Sequence, residues 1–414
     1  MDTIPYRQLR VVRPAKVELK TQDVHGLNRV PSKDVLELRE SANMEAAVKR
    51  IARGFSEERK GGLSDDFLNG SNQFFSKYRR RMDRSWFYYA ARQSEIFFYL
   101  RDQLKSAIVS GDPTSALERL IRLRDCDNEP EQVAHLVLLG KLQSLRDRNE
   151  AAETFAEALA RDSEDLVGRF FVDSGARSYF SEPMVDMAEL EEARSEVVGG
   201  FVEAGENRGV RSDASLLVAM DEKFFRVYGI QFYAMAQQLP HLDFDLVLCC
   251  SPEDAARLAE EGERLARSLA KFNLLPVPEN VSTWSLATPA VVRDRRAFFA
   301  SARFFAASEL FAHRAQMYLA DADLMFTKDP SAYMRSRKEK PVYSSDRSRG
   351  VSSLSPWRRY TAGSVIVNRS DGARRFLADV QQYVCAGFSL PQAWTVDQNA
   401  LAYASSDRRI SGQD

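Results

Sequence analysis

The chain has 414 residues, which exceeds the usual size of one domain and predicts two or three. A hydrophobic content of 44% excludes a disordered or fibrous protein. Lys and Arg total 58 against 59 Asp and Glu, so the net charge of -1 gives no general attraction to nucleic acid or to an anionic membrane. This sum conceals segments of opposite sign, because basic side chains are in excess over residues 1–110 and acidic ones over residues 111–210.

The cysteines and the apolar runs bear on the cellular compartment. Cys126, Cys249, Cys250 and Cys385 lack the spacing of a metal site, and cysteines adjacent in sequence are poor disulfide partners. We therefore expect free thiols in a reducing compartment. The sequence shows neither the apolar segment of a signal peptide nor a run of 18 apolar residues. These patterns predict a cytoplasmic protein without a transmembrane segment, either in solution or peripheral to the inner face of a membrane.

The first part of the chain carries little regular pattern. Residues 1–73 combine prolines, glycines and many charges, which predicts a partly flexible arm. From Phe74 to Leu100, aromatic and basic side chains are interleaved. That composition is found where proteins stack on nucleic acid or lie on a membrane, but a helix with an aromatic core face and a solvated arginine face explains it more simply. We expect no nucleic-acid partner.

Residues 74–204 are predicted to form a helical domain that contains a degenerate repeat. A small, a large and a second apolar residue recur at positions i, i+4 and i+7, first as Ala116, Leu120 and Leu123 and then as Ala151, Phe155 and Ala158. This spacing places each set on one helix face and lets a second helix approach closely. The two sets lie 35 residues apart. This period resembles that of the tetratricopeptide repeat, although the usual Trp and Tyr of its first helix are absent. An ordinary helical bundle is an equally good interpretation, and in either case the domain is a candidate for binding a protein partner.

After a linker from Gly199 to Arg211, short apolar runs alternate with helical patterns. The predicted strands are Ser215–Met220, Phe244–Cys250, Val281–Leu286, Gln316–Ala320 and Thr361–Asn368. The predicted helices are Phe224–Gln238, Asp254–Lys271 and Arg295–Phe311, and a further helix begins near Asp397. This alternation predicts an α/β domain over residues 205–414, with a Rossmann-like mixed sheet and flanking helices. Ligands in such sheets bind at the carboxyl ends of the strands.

An acidic motif stands at the end of one predicted strand. Asp321-Ala322-Asp323 follows the apolar run that ends at Ala320. Two carboxylates at this position are hard oxygen ligands suited to Mg²⁺ or Mn²⁺, which in turn bridge phosphates. The alternative is a pair of ordinary surface acids, but the strand-end position favours a site.

Three further features belong to the same region. Arg303 lies one helix upstream, where its charge could face a diphosphate, although it could equally form a salt bridge. Ala362 and Gly363 begin a strand with small residues, which permits a ligand to approach the backbone. Asp397 and Gln398 begin a helix, where the helix dipole alone would favour an acid.

In this order, these residues resemble the GT-A glycosyltransferases, most closely the family-8-like group that includes glycogenin and bacterial lipopolysaccharide galactosyltransferases. The resemblance covers about Ser212 to Ala404 and begins with the strand that ends Val218-Ala219-Met220-Asp221. It implies a nucleotide-diphosphate sugar donor and a Mn²⁺ or Mg²⁺ ion held by Asp321 and Asp323. It also implies donor contacts at Val218, Ala219, Asp221, Arg303, Ala362 and Gly363, and catalytic or acceptor contacts at Asp397 and Gln398. The late histidine that binds metal in the family has no counterpart, because no histidine follows Gln398.

The resulting hypothesis is a metal-dependent glycosyltransferase that acts on a glycan, a lipid-linked sugar or a protein. Asp397 would deprotonate the acceptor hydroxyl or stabilise an oxocarbenium-like centre, and the two stereochemical outcomes stay open. One alternative is a non-catalytic scaffold whose glycosyltransferase domain has lost turnover. Another is a haloacid-dehalogenase-type phosphatase. That family has Thr or Val where Met325 stands, and it places its acidic motif near the start of the domain, whereas here about a hundred residues of the domain precede the motif.

Overall fold

A computed structural model describes residues 129–144, 147–163, 167, 174–182, 187–205, 211–326, 328–346 and 355–406. The predictions for the arm at 1–73, for the aromatic and basic segment and for the first repeat unit lie outside the described residues. The chain divides into two compact units, whose boundary falls between Ser181 and Glu182.

In the first unit, the described segments are helical. Helix α1 spans Glu129–Gln143, α2 spans Arg148–Ala160, and a 3-10 helix spans Ser174–Ser178. Asp147 precedes helix α2 as its N-terminal capping residue, and its carboxylate accepts hydrogen bonds from the amides of Asn149 and Glu150.

The two helices of this unit approach closely through one glycine. Ala151, Phe155 and Ala158 are buried on α2, so the predicted helix face is confirmed. A Cβ atom on Gly140 of α1 would lie 2.6 Å from the Phe155 ring, so only glycine admits the ring at that distance. The edge of Tyr179 packs against the same ring, with 5.0 Å between centroids. These contacts fit both a tetratricopeptide-like pair and a simple helical hairpin.

The second unit contains a seven-stranded sheet. Its strands are β1 (Phe201–Glu203), β2 (Ala214–Met220), β3 (Asp243–Leu248), β4 (Val281–Leu286), β5 (Gln316–Ala320), β6 (Val342–Asp346) and β7 (Tyr360–Asn368). Its helices are α3 (Met187–Gly199), α4 (Glu222–Gln238), α5 (Pro252–Asn273), α6 (Arg295–Leu310), α7 (Ser331–Arg335), α8 (Pro356–Arg359), α9 (Asp371–Ala386) and α10 (Val396–Ser406). The sequence predicted the strands β2, β3, β4, β5 and β7 within two residues.

The boundary between the units differs from the prediction at 204/205. Helix α3 packs against α6 and α9. Strand β1, which lies within the predicted linker, pairs with β4. Arg194 of α3 donates a hydrogen bond to Gln381 of α9, and Gln381 in turn donates to the Phe304 carbonyl of α6. Residues 187–203 therefore belong to the unit that contains the sheet.

The strand order in the sheet is β1-β4-β3-β2-β5-β7-β6. Strands β2, β3, β4 and β5 are parallel, whereas β7 is antiparallel to β5, and β1 is antiparallel to β4. The sheet is therefore mixed and has flanking helices, as the sequence predicted. We call the side on which β2 to β5 end the carboxyl edge, and the opposite side the amino edge.

The order contains one reversal of direction. From β2 the chain moves outward to β3 and β4, and it then returns to the other side of β2 to form β5. Helices that connect strands on opposite sides of such a point leave a crevice at the carboxyl edge, where open α/β sheets bind ligands. In this sheet, that point lies between the ends of β2 and β5, and we call this place the crevice.

Helices cover both faces of the sheet. On one face, α4 and α5 bury alternate side chains of β2 and β3, among them Leu216, Val218 and Leu246. Helix α6 packs against β2, β3 and β5 from the other face, and α9 and α10 pack beside it. No helix among the described residues is long and apolar enough to cross a bilayer.

A buried arginine joins the strands at the amino edge, in an arrangement that we call the Arg314 clamp. Arg314 lies just before β5 and is 1% exposed. Its Nε and Nη2 atoms donate to the two carboxylate oxygens of Asp245 at 2.9 and 3.0 Å, and its Nη1 lies 2.6 Å from Oδ2 of Asp243. Its Nη1 also donates to the carbonyl of Ser212, just before β2, so one guanidinium links the starts of β2, β3 and β5.

We expect Arg314→Met to destabilise the protein by about 3 to 5 kcal/mol, because it leaves two buried carboxylates without their cation. The matched control is Arg211→Met, since Arg211 forms a half-exposed ion pair with Glu279 whose loss costs at most about 1 kcal/mol. Urea unfolding measures both free energies. Equal losses in the two variants would contradict a structural role for the clamp.

Candidate active site

Two acidic residues flank the crevice at the carboxyl edge. Asp221 directly follows β2, and Asp321 directly follows β5. Val218 of β2 pairs with Ala320, the last residue of β5, and β2 continues two residues farther to Met220. The sheet therefore brings together residues that are a hundred positions apart in sequence.

A buried guanidinium connects two predicted site residues, and we call the set of Arg303, Asp321 and Asp397 the Arg303 triad. Arg303 projects from α6 and is 3% exposed. Its Nη1 lies 2.9 Å from Oδ1 of Asp321, and its Nη2 lies 3.3 Å from Oδ2 of Asp397. Asp397 is almost fully buried, whereas half of the Asp321 side chain is exposed. One end of the triad is thus closed and the other faces solvent.

Gly363 of β7 makes room for the Asp321 carboxylate. A Cβ atom at this position would lie 1.9 Å from Oδ2 of Asp321, well inside any possible contact. The amide of Asp321 also donates to the carbonyl of Gly363. The small residue predicted at this position therefore accommodates Asp321 rather than a ligand. The Asp321 carboxylate must lie over the backbone of β7 to reach Arg303.

Asp397 has an unusual acidity. Burial raises the pKa of its carboxyl to about 6, against the lowering effect of Arg303 and with a further rise from Asp321. Its Oδ1 accepts a hydrogen bond from the amide of Gln398, which favours the charged form. A carboxyl with this pKa changes its protonation near neutral pH, as a general acid or base must.

The loop before α10 is tied to the start of α6. Asp294, which precedes α6, is buried and accepts a hydrogen bond from the amide of Ala393 at 2.9 Å. The amide of Arg293 donates to the carbonyl of Phe388, at the end of α9. These two bonds hold the loop of Asp397 beside the helix of Arg303, which explains how residues 94 positions apart meet.

Asp221 has a local structural role at the crevice. Its Oδ1 accepts a hydrogen bond from the amide of Phe224 at 2.8 Å and so caps α4. Cys249, at the end of β3, lies within electrostatic range of both Asp221 and Arg303, and burial raises the pKa of its thiol. The sequence did not predict Cys249 as a site residue, since a cysteine at the end of an apolar strand is typical of a hydrophobic core.

The remaining predicted contacts are less accessible. Val218, Ala219 and Ala362 are each at least 94% buried, and Val218 belongs to the core under α4. Gln398 is partly exposed, and its amide donates to both Thr395 and Asp397. The structure thus brings Arg303, Asp321, Gly363 and Asp397 together, but it places the β2 side chains inside the sheet.

The acidic motif forms a tight turn. The amide of Leu324 donates to the carbonyl of Asp321 at 3.0 Å, and Asp323 lies within the turn, partly exposed. The described part of the chain has no cluster of three or more His, Cys, Asp or Glu side chains arranged to hold a metal ion. Two carboxylates still suit Mg²⁺ or Mn²⁺ when phosphate and water supply the other oxygens. A metal at Asp321 and Asp323 would therefore need oxygens of a bound ligand to complete its coordination.

Two threonines at this edge escaped the sequence prediction of site residues. The Oγ1 atoms of Thr361 and Thr395 are buried, and neither has a hydrogen-bond partner among the described residues. Thr395 also has a positive φ of 73°, which is rare for a β-branched side chain. Burial and backbone angle cannot be read from the residue type, so the sequence carried no signal for either.

In comparisons with known proteins, no family model matches the chain, and no curated protein or solved structure matches it significantly.

We expect Gly363→Ala to lower the pKa of Asp397 below about 6. The new methyl group would displace the Asp321 carboxylate, which removes a nearby negative charge and leaves Arg303 to Asp397 alone. Carboxyl ¹³C NMR titration measures this pKa. Gly199→Ala is the control, since a Cβ there meets nothing within 4 Å. An unchanged or higher pKa in Gly363→Ala would show that Asp321 does not act on Asp397 in this way.

Asp397 should also make stability depend on pH. Its pKa is about 6 in the folded protein against an ordinary value of 3.8, so the folded state binds the proton more tightly between these limits. Its contribution to stability is greatest below pH 4. It falls by up to about 3 kcal/mol as the pH rises to about 6, and it stays level above that pH. Urea unfolding at pH 4 and pH 7 should show this loss in the wild type but not in Asp397→Asn. Parallel changes in both proteins would refute the assignment.

Proposed function

We propose that the chain is a metal-dependent glycosyltransferase that moves a sugar from a nucleotide-diphosphate donor to a glycan, a lipid-linked sugar or a protein. The observation that carries this proposal is the Arg303 triad. It combines a buried carboxyl whose pKa is raised to about 6 with a half-exposed carboxylate that is suited to a metal.

The position of the triad supports a substrate site. It lies at the carboxyl edge, beside the crevice between β2 and β5. Nucleotides in α/β sheets bind at such reversal points because the connecting helices diverge there. The resemblance to GT-A glycosyltransferases in the order of the acidic motif, Gly363 and Asp397 supports the same assignment.

Asp321 and Asp323 would hold Mn²⁺ or Mg²⁺ together with oxygens of the diphosphate. Such an ion would neutralise the negative charge that the nucleotide diphosphate acquires as it leaves. Gly363 and Arg303 fix the Asp321 carboxylate before any ligand arrives. Preorganisation of this kind avoids an ordering cost during the reaction.

Arg303 has a positioning role in this proposal. Its two Nη atoms face carboxylates rather than open solvent, so it does not bind the diphosphate as a free cation would. Instead it holds Asp321 at the exposed end of the triad and favours the charged form of Asp397. Its positive charge still offsets part of the repulsion between these carboxylates and a polyanionic donor.

Asp397 is the candidate for the chemical step. Above pH 6 its carboxylate can accept the proton of an acceptor hydroxyl or stabilise positive charge at the sugar carbon. The first role belongs to an inverting reaction and the second to a retaining one. Both require the ionised form, so activity should rise with pH through the pKa of Asp397.

Two further parts of the proposal concern the cellular compartment and the partner of the helical unit. Cys249, Cys250 and Cys385 are free thiols, which suits a reducing compartment such as the cytoplasm. We also propose that the helical unit recruits a protein partner or the acceptor, in keeping with its paired helices α1 and α2.

We expect the full-length protein to hydrolyse at least one nucleotide-sugar in the presence of Mn²⁺ or Mg²⁺, and Asp323→Ala to abolish this activity. The loss follows because the metal would keep a single carboxylate ligand. Release of the nucleotide diphosphate from a panel of UDP- and GDP-sugars measures it.

Asp371→Ala is the matched control, since this exposed acid follows β7 at the amino edge. Asp371→Ala should hydrolyse the donor at the wild-type rate. A wild-type protein that leaves the whole panel intact with every metal would exclude a donor hydrolase, and metal-dependent binding without turnover would favour the non-catalytic scaffold.

A further inference from the structure

The amino end of α10 departs from ordinary helix capping. Thr395 occupies the capping position, and its carbonyl accepts hydrogen bonds from the amides of Gln398 and Asn399. A capping threonine normally has extended backbone angles, and its hydroxyl accepts a bond from the first turn. Here φ is 73°, and the amide of Gln398 donates to the Asp397 carboxylate instead. The Thr395 hydroxyl is therefore not used by its own helix.

This hydroxyl is also costly where it lies. Thr395 is 8% exposed, and its Oγ1 has no hydrogen-bond partner in the part of the chain that the structure describes. Buried polar atoms without partners are rare because each loses its bonds to water. Glycine at this position would remove both the unfavourable φ and the isolated hydroxyl. Strain of this kind concentrates at functional sites.

A second threonine with an unused hydroxyl lies near the start of β7. Thr361 lies two residues before Gly363, over which the Asp321 carboxylate lies, in a stretch of β7 whose pairing with β6 is irregular. The Oγ1 atom of Thr361 is also buried without a partner among the described residues. Because α10 packs against β7, the two threonines lie on neighbouring elements, and Thr395 stands two residues before Asp397 of the Arg303 triad.

The charges near these hydroxyls indicate the kind of group that they bind. Asp397, two residues after Thr395, is a buried carboxylate that would repel a phosphate, and it shares the charge of Arg303 with Asp321. A hydroxyl group both donates and accepts hydrogen bonds, and threonine matches it in both respects. A neutral sugar therefore fits here, while a diphosphate fits better beside the acidic turn, where a metal compensates its charge.

We infer that Thr361 and Thr395 form the subsite for the hydroxyl groups of the donor sugar, with Thr395 as its main hydrogen-bonding residue. This inference rests on the proposed function. Thr395 then distinguishes a nucleotide-sugar from the nucleotide diphosphate alone.

The test compares dissociation constants for UDP and for a UDP-sugar, or for GDP and GDP-mannose, with Mn²⁺ and the full-length protein. Thr395→Val keeps the β-branched shape and the strain but lacks the hydroxyl. We expect it to weaken binding of the nucleotide-sugar by about 3- to 10-fold and to leave binding of the nucleotide unchanged. Thr395→Ser should retain wild-type affinity, and Thr361→Val should shift in the same direction as Thr395→Val.

Two controls separate binding from stability. Ser215→Ala removes another buried hydroxyl that has no partner among the described residues, but it lies at the amino end of β2 and should leave both constants unchanged. Thr395→Gly should raise the midpoint of thermal unfolding and still lose affinity for the sugar.

Equal dissociation constants in Thr395→Val and the wild type would overturn the inference. Equal weakening for nucleotide and nucleotide-sugar would also overturn it, since that result indicates a general structural role. In both cases binding by the wild type leaves the proposed function in place. A wild-type protein that binds none of these nucleotides or nucleotide-sugars would refute the proposed function and the subsite with it.

Discussion

The architecture of the α/β unit depends on the Arg314 clamp at the amino edge of the sheet. Strands β2, β3 and β5 are held at their starts by one buried guanidinium, which bonds to two carboxylates and a backbone carbonyl. Two buried carboxylates without this cation would cost several kcal/mol, so the strands must begin in this register. Because this register fixes the pairing from Ala214 and Gln316 up to Val218 and Ala320, the clamp also fixes where Asp321 emerges at the opposite edge, with Asp221 farther along β2.

The same chemical set, one arginine between two aspartates, occurs at both edges of the sheet with different consequences. At the amino edge all three side chains are at least 97% buried, and the arrangement is closed. In the Arg303 triad, the Asp321 carboxylate is half exposed. A closed set of charges can only stabilise the fold, whereas an open one still has a carboxylate with which to bind a ligand. This difference in exposure, rather than residue type, separates the structural cluster from the candidate site.

The carboxyl edge combines several features that a more stable protein would avoid. Asp397 is a buried acid whose charged form is disfavoured, and Thr395 has a positive φ and a hydroxyl that its helix does not use. Such features persist where function requires them, because a ligand supplies the missing interactions. A nucleotide-sugar would do so at both ends, with its diphosphate at the acidic turn and its sugar beside the threonines. The separate costs then have a single explanation.

The sequence by itself determined the α/β class, five of the seven strands and the residue types of the site, because apolar period and strand-end acids are local signals. It did not reveal β1, which is three residues long, or that α3 belongs with the sheet. Only the tertiary structure decided that Arg303 holds Asp321 and Asp397, that Gly363 makes room for a carboxylate, and that two threonine hydroxyls are buried without partners. Contacts between residues about a hundred positions apart depend on strand order and helix packing, and neither is encoded in any one segment of the chain.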